Sequence, residues 1–560
     1  MIAIRKRWVV ATALLVALLS FPPQWYPRPL RVQSAAWFGA SDYRSLPESE
    51  AMIDDVVEEA CPVDASGWRE ERVIEDIRIR RSPTCLVDNP YAVAAFVRGT
   101  NNVSQQVLLE SGLTPDAVEK GRDLDGDGDP DEIHIRLEVT ELNGSSPELD
   151  LPVTQFSIAP GITPGLWVFS PKALGMATEN FESLTAQTLL RLPSPAIRIE
   201  QGDRVQITLE NTHYMPHTLH FHGVDHAYRD ANGEGNDGVP ITSEIPVLPG
   251  NARTYELQPR VAGTTFYHCH VQPHVHVTMG LQGLFVVEEN RPNNWVQTLN
   301  VGSGHVRAPS RAVAERFDRE YDLHYLDLDG DLSSRIQRFN DPRLITKSMH
   351  RQYDVTDATS DYFTLNGRSF PYTFREALVV ARPDERIKLR VVNGGPSGIA
   401  LHTHGHKVTV THRDGVEAEP AARVTRDVVW IAAAQRVDLA LDTTNDGLHS
   451  YGSGVWLFHD HQSRGVTTDG IGPGGHISAI VYEEYLEENG WPRTSGVPWG
   501  PYFTEAYYRK ERPIWASYAP GLFSDTGVDV WLVARLTVLG LATGVIVAAA
   551  FSGLRRRGAE

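Results

Sequence analysis

Gln201-Gly202-Asp203-Arg204-Val205, followed by Asn211 and then by His220-Phe221-His222-Gly223, decides the fold because it occurs twice. The second occurrence reads Pro383-Asp384-Glu385-Arg386-Ile387, then Asn393, then His402-Thr403-His404-Gly405. Around the first copy stand short alternating runs such as Ile197-Arg198-Ile199 and Val205-Gln206-Ile207-Thr208-Leu209. Around the second stand Ile387-Lys388-Leu389-Arg390-Val391-Val392 and Val437-Asp438-Leu439-Ala440-Leu441, again punctuated by Gly, Pro, Asn and Asp. Alternation at a period of two, closely interrupted by turn residues, predicts antiparallel β-sandwiches. The repeat predicts that one sandwich has been duplicated, in an all-β chain with domains over 148–292 and 293–490.

The whole-chain figures agree. At 560 residues the chain exceeds a single hydrophobic core, and its 46 Gly and 36 Pro suit short strands and tight turns better than helical bundles. A net charge of −19, with no Lys/Arg stripe to reverse it locally, excludes nucleic acid as a partner.

Both termini point to a membrane. Arg5-Lys6-Arg7 precede the apolar run from Trp8 to Phe21, the charge order of a signal peptide or signal anchor within 1–30. Leu536 to Leu554 carries no charge and ends at Arg555-Arg556-Arg557. At about 1.5 Å per residue it is long enough to cross a hydrocarbon core of roughly 30 Å. A transmembrane helix is therefore expected within 530–554, its arginines cytoplasmic and the body of the chain extracytoplasmic, periplasmic or at the cell surface. In that compartment Cys61 and Cys85 are candidates for a disulfide, the alternative being two unrelated buried thiols. Residues 45–147 fit neither sandwich and read as an accessory region. Within them Asp123, Asp125 and Asp127, with Gly128 at the sixth position, are similar to a calcium loop, but the twelfth position is His134 where such loops carry a bidentate Glu. An incomplete calcium site is the expectation, against a plain solvated turn.

The chemistry lies in the histidines. Two imidazoles separated by one residue on a strand project from the same face, and the chain has four such pairs: His220/His222, His268/His270, His402/His404 and His459/His461. Two pairs fall in each repeat, and their eight imidazoles suit three copper ions, one held by two ligands and two held by three each. Between His268 and His270 the side chain of Cys269 points to the opposite face. His217, an odd step before His220, can turn to that same side, and His274 and Met279 follow the cysteine. One thiolate, two imidazoles and a weak thioether make a blue-copper electron-transfer set. The neighbouring His268 and His270 put that thiolate one covalent route from the other coppers.

With these residues in view the chain resembles the multicopper oxidase family of cupredoxin-fold, Greek-key proteins, laccases among them. The matching motifs are His217-Thr-Leu-His220-Phe-His222-Gly223, Asp237-Gly238-Val239-Pro240, His268-Cys269-His270-Val-Gln-Pro-His274 with Met279, His402-Thr-His404-Gly405-His406, and Trp456-Leu-Phe-His459-Asp460-His461. The resemblance implies a type 1 copper on His217, Cys269, His274 and Met279, and a type 2 copper on His220 and His402. It further implies a type 3 pair on His222, His268, His270, His404, His459 and His461, with Asp237 as a candidate for proton delivery or a plain turn residue. In the second repeat the type 1 positions become Ile399, Asp460, Gly465 and Gly470, which cannot bind copper in that way. An electron-entry site in the first repeat alone is similar to the two-domain oxidases and copper nitrite reductases. In those relatives a cluster is built between subunits of a homotrimer.

The expected function is four one-electron oxidations of a reducing substrate coupled to reduction of O2 to water. A copper nitrite reductase is the rival within the fold, disfavoured because His220, His270, His459 and His461 are all present. A non-catalytic copper-binding protein would not need a cysteine between two cluster ligands, and a zinc hydrolase would leave Cys269 and Met279 idle. The electron donor is open: a phenol, Cu(I), Fe(II), Mn(II) or a small redox protein.

Overall fold

A computed structural model describes residues 118–126, 130–145, 155–172, 190–290, 315–488, 490–496 and 499–509, with short strands at 72–74, 77–79, 101–103, 152–153, 299–301 and 304–307. The signal segment, Cys61, Cys85, Asp127 and the apolar run 536–554 lie outside the described residues. Among the described residues no helix is long and apolar enough to cross a membrane.

Two β-sandwiches account for most of what is described. In the first, Ala252–Leu257, Arg204–Glu210, Glu132–Leu142 and Val118–Lys120 lie side by side, and Leu166–Pro171 also pairs with Glu132–Leu142. The facing sheet runs His220–His222, Gly263–His268, Gln282–Glu288, Ala196–Glu200, Leu299–Val301 and Asn101–Val103. The second sandwich repeats the pattern. Arg386–Asn393 pairs in parallel with Arg319–Asp329 and antiparallel with Arg436–Asp442, as Arg204–Glu210 does with Glu132–Leu142 and Ala252–Leu257. Likewise Ile399–Thr403, Val455–Asp460 and Ile477–Tyr482 answer to His220–His222, Gly263–His268 and Gln282–Glu288.

The first sandwich therefore begins earlier than its expected boundary at residue 148. In Glu132–Leu142 the side chains of Ile133, Ile135, Leu137 and Val139 are buried at alternate positions and enter the same core as Ile207, Leu209 and Phe285. A strand that buries four β-formers in this way cannot be peeled off as an accessory segment. The strand Leu299–Val301, expected in the second domain, also pairs with Ala196–Glu200 of the first.

An ionic network joins the two sandwiches. Arg198 of the first, with 1% of its side chain exposed, meets Asp322 at 2.7 Å, Glu288 at 3.3 Å and Glu320 at 3.6 Å. Arg390 then links Glu320 at 2.6 Å to Asp438 at 3.2 Å, and donates to Thr264 of the first sandwich at 2.8 Å. Between strands of the second sandwich a helical hairpin, Gly330–Arg338 and Pro342–Arg351, is started by Asp329 and Asp341. Their carboxylates accept the Leu332 and Arg343 N–H groups. Its buried residues Leu332, Ile336, Ile345 and Met349 pack into the first sandwich's core with Met215, Trp167 and Met279, and so cover the region of Cys269. Residues 499–509 belong to a separate unit, where the helix Glu505–Tyr508 places the Tyr507 ring 5.5 Å from that of Tyr502.

Candidate metal centres

Antiparallel pairing of His220–His222 with Gly263–His268 sets His220 directly opposite His268. The four imidazoles of the first half-site thus gather on one face: ring centroids of His220 lie 5.2 Å from His222, 5.4 Å from His268 and 5.3 Å from His270. The second half-site has the same plan, with His402 opposite His459 and its ring 4.8 Å from His404, 5.5 Å from His459 and 5.5 Å from His461.

Hydrogen bonds set which nitrogen each ring presents. Nδ1 of His220 donates to the Asp237 carbonyl at 2.7 Å, and Nδ1 of His402 to the Asp427 carbonyl at 3.0 Å. In the same way Nδ1 of His268 donates to the Cys269 carbonyl at 2.9 Å, and Nδ1 of His459 to the Asp460 carbonyl at 3.0 Å. Each of these rings is left with Nε2 bare, the form that binds a metal. Nε2 of His268 faces Nε2 of His222 at 2.9 Å, and Nε2 of His459 faces that of His404 at 3.3 Å. Burial, and then the neighbouring imidazoles, lower His222 to about 4 and His268 to about 3. His404 and His459 are lowered for the same reasons. Neutral nitrogens converging in pairs are suited to a shared cation. Among the described residues, no hydrogen bond or ring contact joins the first half-site to the second.

Behind the first half-site Cys269 is fully buried and opens to the other face of its strand, as alternation requires. Its Sγ lies 3.3 Å from Nδ1 of His276 and 3.7 Å from Nδ1 of His217. His274 is not at this centre, contrary to expectation. Residues Pro273–His276 form a helical turn entered through Gln272 in a left-handed conformation (φ 44°). On a helix the residues that share a face are three or four apart, so His276 and Met279 turn inward together while His274 faces solvent. Met279 is fully buried in the cluster that holds Cys269. Burial pushes the Cys269 thiol up to about 11, so a bound cation is what would hold it as a thiolate. The donor set of one sulfur, two imidazoles and a nearby thioether fits copper.

In the second sandwich the position of Cys269 is taken by Asp460. Its Oδ1 accepts the backbone N–H of Ala400 and of Gln462, each at 3.0 Å, and Oδ2 lies 3.6 Å from Nδ1 of His476.

Asp237 sits beside the first half-site, with Oδ1 3.4 Å from Nδ1 of His220 and 3.2 Å from Nε2 of His226. His226 was not singled out in the sequence, although its place four residues after His222, just beyond that motif, was a usable signal. Of the acidic run, Asp123 and Asp125 converge with Asp131, a carboxylate outside the expected set, while the expected Asp127 lies outside the described residues. The carboxylate of Asp131 accepts the backbone N–H groups of Leu124 and Asp125.

Two histidine-rich half-sites on duplicated cupredoxin-like sandwiches, with a cysteine between two ligands of one half, define a copper protein. Family models agree on the kind: a multicopper oxidase model matches residues 188–292 and a second multicopper oxidase model matches residues 344–469. Over these two stretches the chain is similar to the multicopper oxidase family, whose members hold type 1, type 2 and type 3 copper centres. It is similar to the dihydrogeodin oxidase of Aspergillus terreus, 23% identical over 348 residues that cover 61% of this chain and 48% of that protein. It is also similar to the iron transport multicopper oxidase FET3 of Saccharomyces cerevisiae, 27% identical over 283 residues, 49% of this chain and 37% of that protein. The chain spans less than half the length of these curated relatives. Among solved structures, a blue copper oxidase from Nitrosomonas europaea aligns with a TM-score of 0.45 and 23% identity, covering 63% of this chain and 86% of that one.

Proposed function

We propose that the chain is an oxidase that takes electrons singly from a reducing substrate at the Cys269 centre and uses them to reduce O2 to water. The observation that carries this is the placement of Cys269, whose side chain meets His217 and His276 while its chain neighbours His268 and His270 face the half-site on the other side of the strand. Copper, when bound, supplies one-electron transfer at the first centre and four-electron chemistry toward O2 at the second. The chain's own part is to fix the donors. The carbonyls of Asp237, Asp427, Cys269 and Asp460 hold four imidazoles in one tautomer, and the thiol-to-imidazole path runs through a single peptide unit. Asp237, in contact with both His220 and His226, is the carboxylate best placed to hand protons to the half-site.

Each cluster needs both half-sites, and the exposed apolar surface beside each favours their assembly between copies. Each half-site offers a facing pair (His222/His268 or His404/His459), one imidazole for a type 2 ion (His220 or His402) and one more (His270 or His461) to complete the opposite pair. Val428, Trp430 and Leu457, beside the second half-site, are 37%, 56% and 38% exposed. Ile241 and Ile245, which follow Asp237, are 91% and 79% exposed. Apolar rims around two incomplete sites suit a head-to-tail ring, in which a homotrimer closes each cluster with halves from two copies. The charge pattern at both termini supports an extracytoplasmic, membrane-anchored body, with the span at 536–554. The donor falls within the class of phenols, reducing metal ions or small redox proteins; of the relatives, one is by name an iron transport multicopper oxidase and another a dihydrogeodin oxidase.

Cys269→Ser tests the function directly. The copper-loaded parent is expected to be blue and to consume O2 with a suitable donor, and the variant to lose both. Turnover by the variant at the parent rate would remove Cys269 from the electron path.

A further inference from the structure

His213 sits behind the Cys269 centre without touching the cysteine. Its side chain is 4% exposed, and its Nδ1 lies 2.8 Å from Nε2 of His217. Since His217 turns Nδ1 toward Cys269, that nitrogen must be bare to bind a metal, which puts the ring proton on Nε2. His213 Nδ1 then accepts that proton in a hydrogen bond, and its own proton is on Nε2, facing Glu141 Oε2 at 3.8 Å. The same carboxylate oxygen accepts from Trp167 Nε1 at 3.0 Å and from the Tyr214 hydroxyl at 2.6 Å, which pins it in place. Tyr214 and Trp167 also clamp the His213 ring, with centroids 3.9 Å and 4.9 Å away. Asn211 Oδ1 fixes the His213 backbone N–H at 3.0 Å. A sandwich core gains nothing from an imidazole in this position, where an apolar side chain would carry no desolvation cost.

We infer that His213, backed by Glu141, is a positioning residue for the Cys269 centre: it fixes the tautomer of His217 and makes that imidazole a stronger electron donor to the metal. This rests on the copper assignment of that centre. An acceptor on the outer N–H of a ligating imidazole raises its basicity and favours the oxidised metal, so removing the acceptor raises the reduction potential and loosens the metal.

The test uses the full, copper-loaded protein and reads the potential by redox titration of its blue absorption, and copper affinity by competition with a chelator. His213→Leu is expected to raise the potential and to weaken copper binding at this centre by about 10- to 100-fold. His213→Asn, whose side-chain oxygen can take the place of Nδ1, should stay close to the parent, and Glu141→Gln should move the potential the same way as Leu by a smaller amount. A folded His213→Leu with the parent's potential and affinity overturns the inference. Where Leu fails to fold, Glu141→Gln decides: a raised potential supports the relay and an unchanged one overturns it. A parent protein that takes up no blue copper removes the copper assignment, and this inference with it; a blue parent with an indifferent His213→Leu removes the inference alone.

Discussion

If each oxygen-reducing cluster is completed between two copies, two dead variants should rescue each other. His222→Ala removes one member of the facing pair in the first half-site, and His404→Ala removes its counterpart in the second. Each variant alone spoils every cluster, because every cluster draws on both kinds of half-site. In a ring mixed from equal amounts of the two, a cluster works only where an intact first half-site, supplied by the His404→Ala chain, meets an intact second half-site from the His222→Ala chain. Each condition holds for half of the positions, so about one quarter of the clusters are restored. Co-expression of the two variants under different affinity tags, followed by sequential purification on both, isolates the mixed rings. Oxygen uptake and the absorption of the paired coppers are then measured per chain against the parent. Removal of the rings that hold one variant only raises the recovered fraction somewhat above that quarter. Doubly tagged rings with no activity and no paired-copper signal would refute the separation of the half-sites, since a cluster closed within one chain gains nothing from mixing.

Two further outcomes follow from buried charge. Arg198→Ala leaves Asp322, Glu288 and Glu320 facing one another with their central cation removed, and should cost about 3–5 kcal/mol in chemical unfolding followed by circular dichroism; a change below about 0.5 kcal/mol would mean the network contributes little. Burial lowers His324 to about 3, so between that value and the unfolded value of about 6.5 the unfolded chain binds more protons than the folded one. Stability of the metal-free protein should therefore fall on acidification through this window, by up to ~1.4 kcal/mol per pH unit from this group, and His324→Gln should flatten the slope. Parallel stability curves for variant and parent would place the acid sensitivity elsewhere.

Much of this was legible because strands and histidines obey the same period. His-X-His on a strand fixes both the shared face of the imidazoles and the opposite face of Cys269, and the duplicated motif gave the two sandwiches. The failures come where that period breaks. Between Gln272 and Met279 the chain turns helical, so spacing counted as in the relatives selected His274, while the helical face brings in His276. Glu132–Leu142 was overlooked for a different reason: its alternation of Ile133, Ile135, Leu137 and Val139 was present in the sequence, but the acidic run before it and the distance to its parallel partner hid its place in the sheet. Parallel pairing across about 70 residues leaves no local turn signal to read. His213 was hidden because its role is to touch a ligand, and no pattern of spacing distinguishes that from a buried polar residue.

Asp460 has a bearing on how the protein matures. Where the first sandwich leaves a thiol and two imidazoles to be gathered by a metal, the second closes the same corner with its own carboxylate, bonded to Ala400, Gln462 and the neighbourhood of His476. That corner of the second sandwich can therefore reach its finished shape on the polypeptide's resources, while the matching corner of the first is left for a metal to complete. Without metal, backbone amides around Cys269 are therefore expected to exchange with solvent faster than those around Asp460.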